Sequence, residues 1–177
     1  MLDRLGLQSV INASGPVTRL GGHRLDPEVV EAMAAAAQAH VPIEALQAWA
    51  GGIIADATGA EAGCVTAGAS SGLLLAAAAV IAGRDPVRMD TLPATEAFPH
   101  EIVVHRLHRN AYDHALRAAG AELVEIGYGG YPGAGRTLAW QLEAAITERT
   151  VAVAYPILRS TPGVLSLPAV VAIAHAH

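Results

Sequence analysis

Apolar segments of strand length alternate with segments of helix length through residues 101–177, and this alternation most narrows what the chain can fold into. "EIVVH" (101–105) reads as a strand. "NAYDHALRAAG" reads as a helix, with Asn110 as its cap, Asp113 three residues on as a variant capping box, and Gly120 as its stop. "AELVEIG" is a second strand. After the glycine-rich "YGGYPGAGR" come a helix over 139–147, the strand "TVAVAYP", and a helix opened by Ser166 and Pro168. Strands alternating with helices of βαβ length favour a parallel arrangement, and a parallel sheet is buried on both faces. The pattern therefore predicts an α/β fold with a mostly parallel sheet and no internal repeat.

The earlier segments are helical. In "LDPEVVEAMAAAAQAH", Asp26 precedes Pro27 and Glu28, which predicts a helix from about 27 to 39 with Asp26 as N-cap. "IEALQAWAGGIIADATG" spaces Ile43, Leu46, Trp49, Ile53 and Ile54 for one buried face and stops at Gly59, while Gly51 and Gly52 suggest close approach by another element. "RDPVRMDTLPATEAFPH" is rich in Pro and polar residues and reads as a surface loop.

Between these regions lies "CVTAGASSGLLLAAAAVIAG" (64–83), which begins like a buried strand, breaks around Gly68 and continues as an apolar helix. Gly68 frees the backbone, and Ala69, Ser70 and Ser71 leave the first helical N–H groups uncovered. Those donors and the positive end of the helix favour an anion by roughly 0.3–1 kcal/mol per contact. Neither G-x-x-x-x-G-K-S/T nor G-x-G-x-x-G is present, so two readings stand: a phosphate cup, or a tight strand-to-helix packing turn.

Composition removes several function classes. With 53% hydrophobic residues the chain has ample material for a core, and a single domain is the default expectation for its length. It has no long uninterrupted apolar run and no basic-then-apolar leader, which predicts a soluble, cytoplasmic protein without a membrane partner. A net charge of −5 without a basic cluster argues against nucleic acid. Cys64 is the only cysteine, excluding an internal disulfide, and its apolar setting predicts a buried core thiol. His105 and His108 lack a third or fourth ligand at zinc-like spacing, so no metal site is expected. All eleven basic residues are arginine, so no lysine side chain is present to form a Schiff base. "SLPAVVAIAHAH" ends as a helix without a stop signal, which suggests a fragment cut within an element.

Read together, "VINASGPVTRLGGHRL", "ALQAWAGGIIADATGAEAGCVTAGASSGL" and "HRNAYDHALRAAGAELVEIG" resemble the pyridoxal-phosphate enzymes related to bacterial selenocysteine synthase, in particular their D-glucosaminate-6-phosphate ammonia-lyase branch. The resemblance implies the aspartate-aminotransferase fold (fold type I), incomplete here at its C-terminal side. It also implies an N-terminal arm with helices over 1–60 and the first part of the cofactor-binding large domain over 61–177. Active sites in that family lie at a dimer interface, so a homodimer or higher homo-oligomer is expected.

The resemblance assigns the cofactor phosphate of pyridoxal 5'-phosphate to Gly68, Ala69 and Ser70, with Thr66 or Ser71 adjacent. It places His108 against the pyridine ring and Arg109 or Asn110 near a substrate carboxylate or phosphate, at the sheet edge where open α/β folds bind ligands. Taken without it, Asn110 is a cap and Arg109 a solvated charge. Arg19 in "TRLGG" is a further substrate-binding candidate reaching a neighbouring subunit, or else a surface arginine. The function implied is a lyase of the α,β-elimination or ammonia-lyase type acting on an amino acid or amino-sugar acid. A racemase, an aldolase-like enzyme or a selenium transferase would use the same scaffold, and a noncatalytic phosphate-ligand module is the alternative from another class. In the family an acidic residue and the Schiff-base lysine follow the last helix seen here, so catalysis by this chain alone is not expected.

Overall fold

The computed structural model describes residues 2–129, 135–157 and 161–177, which form two compact units divided after Cys64. Most of the "YGGYPGAGR" stretch lies outside the described residues.

The first unit carries α1 (Pro27–Ala36) and α2 (Ile43–Thr58). Asp26 holds the N-cap position of α1 in extended conformation, but its side chain makes no capping bond; its carbonyl accepts from Val29 and Val30 instead. The helix ends three residues short of the predicted 39. Gly59 closes α2 at φ 73°, its N–H donating to the Ala55 carbonyl over 2.8 Å. Of the two predicted close approaches only one is found: a Cβ on Gly51 would strike the Gly63 carbonyl, whereas one on Gly52 would meet nothing within 4 Å. The predicted buried face of α2 is exposed at Ile43, Leu46, Trp49 and Ile53, because no described element of the unit packs across it.

The second unit is built on three parallel strands, β1 (Glu101–His105), β2 (Glu122–Ile126) and β3 (Thr150–Ala154), in the order β2-β1-β3. Ile102 pairs with Leu123 on one side and with Ala152 on the other. Side chains alternate across a strand. Ile102 and Val104 accordingly enter one core with Ala77, Ile81 and Leu116, contributed by α3 (Ala69–Ala82) and α5 (Asp113–Ala118). Val103 enters the opposite core with Leu142 and Val170, contributed by α6 (Ala139–Ala145) and α7 (Leu167–Ala174). The sheet is thus covered on both faces, as the alternation predicts.

Several expectations are corrected. Residues 64–67 form no strand; Val65 and Cys64 are exposed, so the thiol is not a core residue. The segment expected to be only loop contains α4 (Pro86–Thr91), capped by Asp85 Oδ1, which accepts from Val87 and Arg88. Helix α5 begins at Asp113, later than a cap at Asn110 implies, although the bonds expected of the Asn110–Asp113 pair are present: the Asn110 N–H donates to Asp113 and Asn110 Oδ1 accepts from the Tyr112 N–H.

Candidate functional site

The C-terminal ends of β1 and β3 converge on a cluster of three rings. His105, the last residue of β1, is fully buried, and the short 3-10 turn Arg106–His108 brings the His108 ring back beside it. Tyr155 follows β3. The His105 and His108 centroids are 5.3 Å apart with planes tilted by 54°, and Tyr155 meets both edge-on at 5.5 and 4.8 Å. The Tyr155 hydroxyl donates to the Leu165 carbonyl over 2.9 Å, fixing the ring from outside the sheet.

Burial governs the electrostatics. The His105 pKa falls from 6.5 to about 4, through desolvation first and repulsion from His108 second. His108, 4% exposed, is also shifted down by burial. Both rings are neutral near pH 7. Both nitrogens of His105 and Nδ1 of His108 have no hydrogen-bond partner among the described residues.

A cavity of about 610 Å³ opens on this cluster. Its wall is apolar along α3, through Leu73, Ala76 and Val80, and becomes polar at His108, Asn110 and Tyr155. Ala69, the first residue of α3, lines it too, so the structure joins the helix N-terminus to the ring cluster. Gly68 caps α3 at φ 130° and ψ 175°, a conformation closed to most side chains. A Cβ there would project into open space, so backbone geometry rather than crowding calls for glycine. The Thr66 hydroxyl donates to the Gly68 carbonyl over 3.0 Å and steadies the turn. Ser70 is exposed and Ser71 half-buried on the first turn.

The other candidates have protein partners. Arg109 donates to the carboxylates of Asp113 and Glu125, and its pKa is raised chiefly by the bond to Asp113. Arg106 joins the same Glu125 at 3.1 Å. Asn110 donates from Nδ2 to the His108 carbonyl and accepts at Oδ1 from the Tyr112 N–H, while Asp113 accepts from the Asn110 N–H. Arg109 and Asn110 thus brace the loop carrying His108. Arg19 lies exposed in the 3-10 turn Thr18–Leu20 of the first unit. Tyr155 was not singled out by sequence; its signal is an aromatic residue just past a strand's C-terminal end, beside Pro156.

No protein-family model matches the sequence. Over 157 residues the chain is 38% identical to a D-glucosaminate-6-phosphate ammonia lyase of Salmonella typhimurium, covering 86% of this chain and 41% of that one. A 5'-C-glycyluridine monooxygenase-decarboxylase of a Streptomyces species is 35% identical over 163 residues, covering 89% and 40%. The chain therefore spans about two-fifths of the length of these curated relatives. A solved structure of D-glucosaminate-6-phosphate ammonia-lyase superposes with a TM-score of 0.92 at 36% identity, over 99% of this chain and 48% of that one. By sequence and by fold, this mixed α/β chain with its small parallel sheet is similar to part of an ammonia lyase.

Proposed function

We propose that this chain is the phosphate-cradling portion of a pyridoxal-phosphate-dependent lyase that eliminates ammonia from an amino-sugar acid phosphate or a related amino acid. The single observation that carries the reading is the cavity at the C-terminal sheet edge, which joins the α3 N-terminus at Ala69 to the buried ring of His108. The residues present fit such a cofactor in two respects: an open, glycine-capped helix start suited to a phosphate, and the ring of His108 on the same cavity wall. When bound, the cofactor draws electron density from the substrate carbon that loses its proton.

The chain's own part is binding and orientation. The first amides of α3 would hold the phosphate, the apolar wall of Leu73 and Val80 would exclude water, and the neutral His108 ring on the cavity wall would orient the cofactor. None of the 177 residues is a lysine, so the amine that anchors such a cofactor covalently is not among them. The alternative from another class is a noncatalytic module binding phosphorylated ligands. A homodimer or higher homo-oligomer, with Arg19 reaching a substrate anion, belongs to the first reading.

Absorbance titration with pyridoxal phosphate, competed by inorganic phosphate and followed by borohydride reduction and peptide mapping, tests the proposal. Saturable binding that phosphate reverses, with no adduct on an internal residue, is the expected result. No binding, or an adduct on an internal side chain, would overturn it.

A further inference from the structure

The buried imidazole of His105 has no task in the reading above. It is fully buried, and neither ring nitrogen has a partner among the described residues. Leaving a polar atom buried and unsatisfied costs about 1–3 kcal/mol, which an apolar residue of similar shape avoids. The Tyr155 hydroxyl donates to the Leu165 carbonyl, and the neighbouring His108 ring carries an Nδ1 that is itself buried and unsatisfied.

The spacing suits a bond between the two rings. Two imidazoles joined by one N–H···N bond of ordinary length have centroids about 5 Å apart, and these stand at 5.3 Å. In the present orientation, with the planes tilted by 54°, the nitrogens of the two rings do not meet. The terminal torsion of histidine is broad, so a turn about it can bring one nitrogen round to face the other ring. Both rings are neutral near pH 7, and a neutral imidazole offers one donor and one acceptor, as such a bond requires.

We propose that His105 is a positioning residue for His108, making an imidazole-to-imidazole hydrogen bond that fixes the plane and tautomer of His108 at the cavity wall. Its bearing on ligand binding rests on the proposed placement of His108 against the cofactor; the ring pairing itself does not.

Nitrogen-15 NMR of the labelled chain without ligand tests the pairing. One imidazole N–H should be protected from solvent exchange and correlate through the hydrogen bond with a nitrogen of the second ring. It should vanish in His105→Leu, while His105→Gln, which keeps an amide donor, should restore the hydrogen-bonded shift of His108 Nδ1. Absence of the signal in folded wild type, or its survival in His105→Leu, overturns the proposal. Should His105→Leu fail to fold, the wild-type and His105→Gln spectra decide. Titration with pyridoxal phosphate then tests positioning: His105→Leu should weaken binding several-fold alone and not further in a His108→Ala background. Additive losses would refute action through His108. A wild type that shows the paired signal but binds no pyridoxal phosphate supports the pairing and removes the cofactor reading instead.

Discussion

His108 and Tyr155 meet edge to face, centroids 4.8 Å apart and planes at 89°, although one closes the turn after β1 and the other follows β3. This contact ties the ends of two neighbouring strands together. Tyr155→Phe keeps the ring and removes only the hydroxyl bond to the Leu165 carbonyl, so a loss of about 0.5–1.5 kcal/mol is expected in urea denaturation. Tyr155→Ala should lose more, since it also strips the edge contacts from both histidines.

The two histidines set a direction of pH dependence. Their folded pKa values lie below the unfolded value of 6.5, so the unfolded chain binds more protons between the two and stability rises with pH across that window. Their contribution is intact above about 6.5 and is progressively lost as pH falls toward 4, by a few kcal/mol at most, since one pKa unit is about 1.4 kcal/mol. Denaturation midpoints between pH 7.5 and 4 should show this slope, flattened in His105→Leu.

Asp113 accepts from both Arg109 and the Asn110 N–H and is buried, so Asp113→Ala strands the Asn110 N–H and leaves Arg109 with Glu125 alone. A loss of about 1–3 kcal/mol is expected, with the loop before α5 exposed to hydrogen exchange. Arg106→Ala should change stability by less than about 0.5 kcal/mol, because its ion pair with Glu125 is exposed.

Adjacent glycines of α2 should respond oppositely. Gly52→Ala meets open space and should stabilise the helix by roughly 0.5–1 kcal/mol through lower backbone entropy in the unfolded chain. Gly51→Ala drives a methyl into the Gly63 carbonyl and should destabilise the first unit. Thermal unfolding of the two variants checks the opposed signs.

The parallel sheet was legible because each strand is a short apolar run flanked by a helix with its own punctuation. Ser166 caps α7, accepting from the Ala169 N–H, and Pro168 sits in its first turn as read. Helix α4 was missed although Asp85-Pro86 repeats the Asp26-Pro27 signature, because the surrounding prolines pointed to loop. The strand expected over 64–67 is not formed, and Cys64 and Val65 are exposed, which local apolarity does not reveal. At the site, the spacing of His105 and His108 was visible in sequence, but their burial and their meeting with Tyr155 depend on which strands become neighbours. The engagement of Arg109 by Glu125 is equally unreadable, because β2 delivers that carboxylate across the sheet.

The most direct test of the account is a pyridoxal phosphate titration of wild type, Gly68→Val and Ser71→Ala, with folding followed by circular dichroism. At φ 130°, valine distorts the turn whose amides are proposed to hold the phosphate, whereas Ser71→Ala removes at most one hydroxyl bond of about 0.5–1.5 kcal/mol. The account predicts that Gly68→Val folds and loses far more affinity than Ser71→Ala, which stays within roughly tenfold of wild type. A folded Gly68→Val that binds pyridoxal phosphate as wild type does would contradict it and leave the stretch around Gly68 a packing turn.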